Sequence, residues 1–435
     1  MEISHIKKII RKWPAYEKFL ENKGISTGKI KDLNELPVID KKFISSAIHM
    51  VPLFKVRSII PSSGSTGNDF SFGLFGDTEL KRTSNTIDTL LKSRFNTATK
   101  KTLLLNTLPG AISIQSSTVS IAPIGVRLDT AISVIKSFGS SFDQLILVGE
   151  PLFVKSLIEL GVQESILWKH VPLFVIVGGE WTPERYSTYI ETMAGPQRIY
   201  SFMGMAELGL NYFLETDETL MLRHLLAKDK NLLKMLVGDS PFCPMIFAYD
   251  EDEVYVETVG QPGETTESIV LTTLDPNRAL PLIRYKGGDR GKVLSREMIN
   301  DVLTSMGYSA LFSAPGSPIL AHFGRGRSIA EIHPEQVKEI IYAHWIVAST
   351  TTANFKLSRK ENMLHLEVQL KEGIHVNSTL ESEYDSAFSG LPLHVTLYPF
   401  ERFPYLLDFE RKVQYVSESA HSRWRREKVS LSTAV

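Results

Sequence analysis

Between residues 78 and 193 the chain alternates short apolar runs with longer mixed stretches, and this rhythm restricts the fold more than any other feature. The apolar runs at residues 102–105, 144–148 and 173–177 read as buried strands. The stretches at 78–92, 153–160 and 183–193 read as helices. Strands separated by helices build α/β layers around a largely parallel sheet. Such sheets collect ligands at the carboxyl ends of their strands.

Both flanks depart from that rhythm. Residues 1 to 50 read as helical and polar, with a break at Leu36-Pro37. From 252 to 273 the texture becomes antiparallel. Glu253-Val254-Tyr255-Val256-Glu257-Thr258 alternates, Gln261-Pro262-Gly263-Glu264 reads as a turn, and 268–272 is again strand-like. After Arg327 the pattern predicts a helix over 334–343, strands over 353–357 and 364–370, a helix over 378–388 and a strand over 394–398. A chain of 435 residues is too long for one core. The expected architecture is therefore α/β: a large multi-layer N-terminal domain at 1–324, with mostly parallel sheets plus a β-rich section, and a mobile α+β C-terminal domain at 325–435. The Gly324-Arg325-Gly326-Arg327 run marks the boundary.

Ahead of the first strand lies Pro61-Ser62-Ser63-Gly64-Ser65-Thr66-Gly67. Gly64 and Gly67 permit close backbone approach, and Ser62, Ser63, Ser65 and Thr66 add hydroxyl donors to their amides, a composition suited to wrapping a polyphosphate. Taken alone, such a cluster also describes a solvated turn. No Gly-Lys-Ser/Thr closes it, no Gly-x-Gly-x-x-Gly follows a strand, and no Gly-x-Ser-x-Gly elbow surrounds a serine. Its meaning depends on polar clusters further along.

Composition narrows the function classes. A formal net charge of −1 gives no general attraction to nucleic acid or to an anionic membrane. The single cysteine, Cys243, allows no internal disulfide and fits a reducing compartment. No apolar stretch reaches bilayer-spanning length, and the polar N-terminus lacks a signal-peptide core, so a cytoplasmic location is expected. One cysteine and scattered histidines, His224 among them, give no zinc-ligand spacing.

The downstream clusters occur in a telling order. Gly178-Gly179-Glu180 ends an apolar run, followed by Tyr200-Ser201-Phe202-Met203-Gly204-Met205-Ala206-Glu207, then Arg284-Tyr285-Lys286-Gly287-Gly288-Asp289, then Gly324 to Arg327, then Glu410-Arg411-Lys412-Val413. Together with the serine-glycine loop and Leu36-Pro37-Val38-Ile39-Asp40-Lys41, this order resembles the adenylate-forming ligases, within them the branch similar to phenylacetate-CoA ligase. The resemblance spans nearly the whole chain and rests on the number and order of motifs.

The resemblance implies ATP-dependent adenylation of a carboxylic acid, an aryl acid favoured, followed by acyl transfer to a thiol. It implies ATP, Mg²⁺ and CoA or a phosphopantetheine arm as cofactors. The 62–67 loop would clasp phosphates, and Glu207 would hold Mg²⁺, which suits a hard carboxylate oxygen. Gly179 and Glu180 would hold adenine. Asp289 would accept hydrogen bonds from both ribose hydroxyls, although Lys286-Gly287-Gly288-Asp289 also reads as a hairpin turn. Arg325 would be a second ribose or phosphate contact, and Lys412 would steer the carboxylate onto the α-phosphate. Tyr200, Phe202, Met203 and Gly204 would line the acid pocket. The sequence departs from the family pattern at Met203, Ala206, Gly287, Arg327 and Arg411, and these departures leave open a non-catalytic nucleotide- or acyl-binding protein on the same fold. Transfer to a carrier protein is a further alternative. Assembly is open, a homodimer included. The basic tail Arg423, Arg425, Arg426 and Lys428 reads as a solvated helix face.

Overall fold

The computed structural model describes residues 2–62, 71–109, 112–196, 199–260, 266–309, 315–360 and 363–417. Residues 63–67 of the serine-glycine loop, the 261–264 turn and the basic tail lie outside them. The alternating runs of the central region form the parallel half of an 11-stranded sheet. Ser120–Pro123, Thr102–Thr107, Gln144–Gly149, Leu173–Gly178 and Ile199–Met205 run side by side in parallel. The chain then reverses at Gly209–Leu214. Met245–Ala248, Ile319–His322, Tyr285–Leu294, Glu267–Thr273 and Val254–Val259 continue the sheet antiparallel to its far edge. The parallel section and the β-rich section are thus one continuous sheet.

The parallel strands are continuously apolar because both faces are covered. Leu103, Leu105, Leu145 and Leu147 pack with Phe153 and Leu157 of the helix Pro151–Gln163 and with Tyr186 and Ile190 of the helix Glu184–Ala194. Leu104, Ile146 and Val148 point the other way, toward Leu91 and Phe95 of the helix Asp77–Phe95. The N-terminal region is helical as expected, but not uniformly polar. Ile6, Ile9, Ile10 and Trp13 form a buried stripe at helical spacing along Ile3–Lys12 and its end, under a charged outer face. Beyond them Ile39 joins the sheet as an isolated parallel bridge to Tyr285.

The serine-glycine loop connects the two strands of a separate antiparallel hairpin, Val56–Pro61 and Phe72–Gly76. Gly73 explains how closely this hairpin approaches the main sheet: a Cβ there would fall 1.8 Å from the carbonyl oxygen of Ala206.

In the C-terminal part, the helices Pro334–Ala343 and Ser378–Phe388 and the strands Thr351–Lys360, Met363–Leu370 and His394–Tyr398 occupy the expected places. A helix at Trp345–Thr350 and a short strand at Val416–Ser417, parallel to Thr351–Lys360, complete the module. Its apolar core continues into that of the larger part. Tyr342 meets Tyr186 edge-on at 5.2 Å, and Trp345 meets Tyr189 at 5.1 Å between ring centres. Among the described residues no helix is long and apolar enough to cross a membrane.

Candidate active site

A cavity of about 670 Å³ opens where the carboxyl ends of the parallel strands, the serine-glycine hairpin and the C-terminal module meet. Ser62, Gly179, Glu180, Phe202, Met203, Gly204, Glu207, Asp289, Arg325 and Lys412 all line it. Tyr200 does not. It shares a strand face with Phe202 but lies two residues further from the strand's carboxyl end, where Phe95 abuts its ring at 5.7 Å and the Arg94 guanidinium covers it at 4.4 Å. Half-buried against that pair, it stands outside the cavity where the acid pocket was expected.

Glu207 sits in the turn between Ile199–Met205 and Gly209–Leu214, and its side chain is almost fully enclosed. The Ser71 hydroxyl donates to its Oε1, and Lys41 Nζ lies 3.9 Å from the same oxygen. The turn itself is clamped by the buried Arg278, which donates to the carbonyl oxygens of Glu207 and Leu208 at 3.2 and 3.1 Å. A hard carboxylate held rigidly in the cavity wall fits Mg²⁺, which takes one or two protein carboxylates beside phosphate and water.

Asp289 lies inside the strand Tyr285–Leu294, not in a hairpin turn. Pairing with Glu267–Thr273 skips there: Val270 faces Lys286 and Ser268 faces Arg290, leaving Gly287, Gly288 and Asp289 as a bulge. Gly288 has φ +100°, a backbone that favours glycine, and the bulge turns Asp289 into the cavity. Burial raises the Asp289 carboxyl, but the His322 ring and the Arg325 guanidinium, both 3.7 Å away, hold it well below the usual carboxylate range. It is ionised at neutral pH and suited to accept from a diol.

Glu180 follows Gly179, whose φ of +93° marks the strand-end turn. Its carboxylate is already engaged: Lys338 Nζ donates to Oε2 at 3.0 Å and the Tyr415 hydroxyl donates to the same oxygen at 2.8 Å. Burial works against its charge, yet Lys338 and Tyr415 hold its carboxyl below the ordinary range. Next to it stands Glu150, which sequence reasoning missed. Its Oε1 lies 2.8 Å from where a Cβ on Gly179 would project, so that position has no room for a side chain. Burial, then the Glu180 charge, push the Glu150 carboxyl up to about 8, with Lys412 and Lys338 pulling the other way.

Lys412 projects into the cavity from the loop before Val416–Ser417, and the exposed Arg411 beside it also borders the cavity. Burial and Arg325 draw the Lys412 amine below the usual lysine range, and Asp289, Glu150 and Glu180 oppose this. Trp181 Nε1 and both ring nitrogens of His322 are buried in the wall without a hydrogen-bond partner among the described residues. Ser71, Arg278, His322, Lys338 and Tyr415 carried no motif. They support the site through contacts between distant segments, which local spacing does not reveal.

No family model and no curated protein sequence matches the chain. Among solved structures, 2-hydroxyisobutyryl-CoA ligase in the postadenylation state with 2-HIB-AMP is similar at a TM-score of 0.67, with 13% identity, over 96% of this chain and 89% of that one. The same ligase with 2-HIB-AMP and CoA in the thioesterification state gives 0.55, with 14% identity over 96% and 88%. The anthranilate CoA ligase AuaEII in complex with anthranoyl-AMP gives 0.50, with 11% identity over 82% and 66%. The chain has the fold of these ligases, a large α/β part followed by a small C-terminal one.

Proposed function

We propose that this protein is an acid–thiol ligase. It activates a carboxylic acid, an aryl acid first, with Mg·ATP to an acyl-adenylate, then passes the acyl group to the thiol of CoA. The observation that carries this reading is the convergence of Ser62, Glu207, Asp289, Arg325 and Lys412 on one cavity, from five separate segments and in the order of the ligase motifs. The fold is that of solved ligases holding acyl-AMP, and the motif order favours the phenylacetate-CoA ligase-like branch. The single, buried cysteine fits a reducing, cytoplasmic setting.

In the first step a carboxylate oxygen attacks the α-phosphorus, a new P–O bond forms, and the bond to pyrophosphate breaks. Two anions must meet, so positioned cations matter more than proton transfer. Lys412 supplies the mobile ammonium between them, Asp289 and Arg325 fix the ribose, and Ser62 begins the phosphate loop. Glu207 would hold Mg²⁺, which supplies charge neutralisation on the phosphates. Phe202, Met203 and Gly204 form the apolar wall for the acid. In the second step the thiolate sulfur attacks the acyl carbonyl and AMP leaves. The 325–435 module would rotate to admit the thiol, with Gly324 and Gly326, at φ +77° and +61°, as the pivot.

The test is pyrophosphate release from Mg·ATP with benzoate, phenylacetate, anthranilate, 2-hydroxyisobutyrate and hexanoate, with and without CoA. Release that depends on one acid, and falls about 10²- to 10³-fold in Lys412→Ala with ATP binding intact, is the expected result. ATP binding without release for any acid would replace this reading with a binding protein.

A further inference from the structure

The Lys412 loop is pinned to the large part of the molecule on both sides. Three residues before Lys412, Phe409 packs edge-on against Phe153 at 5.3 Å. Three residues after it, Tyr415 donates to Glu180. Tyr415 is itself fixed within the small module: its carbonyl accepts from the Leu357 amide at 2.7 Å, and its ring lies 4.5 Å from that of Phe355. Lys338 closes the arrangement. Its ammonium touches Glu180, donates to the Trp181 carbonyl at 3.3 Å and sits 4.2 Å above the Tyr415 ring. Both side-chain donors to Glu180 therefore come from the C-terminal module, and neither can stay in place if the module turns.

We infer that Glu180, Lys338 and Tyr415 form a latch that positions Lys412 for adenylation and must open before the thiol-transfer arrangement is reached. This rests on the ligase reading for its purpose, but not for its existence. Glu180 is then a positioning residue, not an adenine contact. One further observation agrees with the assignment. Glu180 and Lys338 are only 8% and 9% exposed, so their pairing is sheltered from solvent screening.

The latch can be tested without knowing the acid. Lys92 and Glu383 are exposed, one in each part of the chain, and Cys243 is buried. Spin labels at Lys92→Cys and Glu383→Cys in the full chain report the distance between the parts by pulsed electron resonance. A single distance population is expected with native Glu180 and Tyr415. In Glu180→Gln and in the milder Tyr415→Phe, a second population of about a tenth or more of the molecules should appear, with unchanged far-ultraviolet dichroism. A role in stability alone would lower the melting temperature and leave the distances as they were. Unchanged distances in both folded variants would overturn the latch, as would a mixed distribution before any substitution. Absence of pyrophosphate release from every acid would remove the ligase reading while leaving the distance result to stand by itself.

Discussion

Two buried carboxylates of the large part meet the C-terminal module, and they are satisfied in opposite ways. Glu159 accepts from Lys155 at 2.8 Å and from the Tyr189 hydroxyl at 2.5 Å, both in its own part of the chain, and only then from Lys371 of the module at 2.8 Å. Glu180 takes both its side-chain donors, Lys338 and Tyr415, from the module. If the module left, Glu159 would keep an ammonium and a hydroxyl, whereas Glu180 would lose both. The lesson concerns where partners come from more than how many there are. A carboxylate satisfied from its own side is indifferent to the module's position, and one satisfied from across the boundary registers it.

The largest expected effect follows directly. Lys338→Met removes the cation from a sheltered pair and leaves Glu180 with a hydroxyl alone, so chemical denaturation should show a loss of about 3 kcal/mol or more. The neighbouring Glu335, whose Oε2 is buried without a partner among the described residues, already carries a carboxyl raised to about 7 by burial and cannot substitute for a cation. A loss within error of zero would mean that water reaches Glu180 easily, and the contrast with Glu159 would disappear.

A second prediction separates the two sites by pH. Glu150 stands beside Glu180, and its folded-state value of about 8 exceeds the ordinary 4.5. The folded chain therefore keeps this proton while an unfolded glutamate loses it. Stability falls as pH rises through that window, because the unfolded state binds fewer protons there. Glu150→Gln should flatten the decline between pH 5 and 8 by about 3 kcal/mol, read from urea unfolding at each pH. Parallel declines in variant and native protein would show that Glu150 ionises freely and places no charge against Glu180.

Much of the frame behind this comparison was legible in the sequence. The continuous apolar runs announced strands covered on both faces, and the return of helical spacing at 334–343 and 378–388 announced a second module, because burial pattern is a local property of the chain. That Glu207 and Asp289 would meet at one cavity was also legible, because each belongs to a local motif. The latch was not. Nothing local in Pro334-Glu335-Gln336-Val337-Lys338 or in Val413-Gln414-Tyr415 distinguishes an ammonium or a phenol that will cross to a strand end far back in the chain. Tyr200 was named with its motif, but its distance from the cavity depends on Phe95 and Arg94, which come from another helix. Gly73 and Arg278 were silent because close backbone approach and carbonyl clamping leave no periodic trace.

The smallest predicted effect is the most informative control. Lys371 is 22% exposed, and removing it leaves Glu159 bonded to both Lys155 and Tyr189. Lys155 donates in turn to the Thr351 carbonyl at 2.7 Å, so a link across the boundary survives as well. Lys371→Met should therefore cost less than about 1 kcal/mol, the range of partly exposed pairs, and leave the distance between the two parts unchanged. If it costs as much as Lys338→Met, or if it releases the module, then attachment is spread evenly over every charged contact. In that case Glu180 would hold no special place, and Lys412 would be positioned by the whole interface.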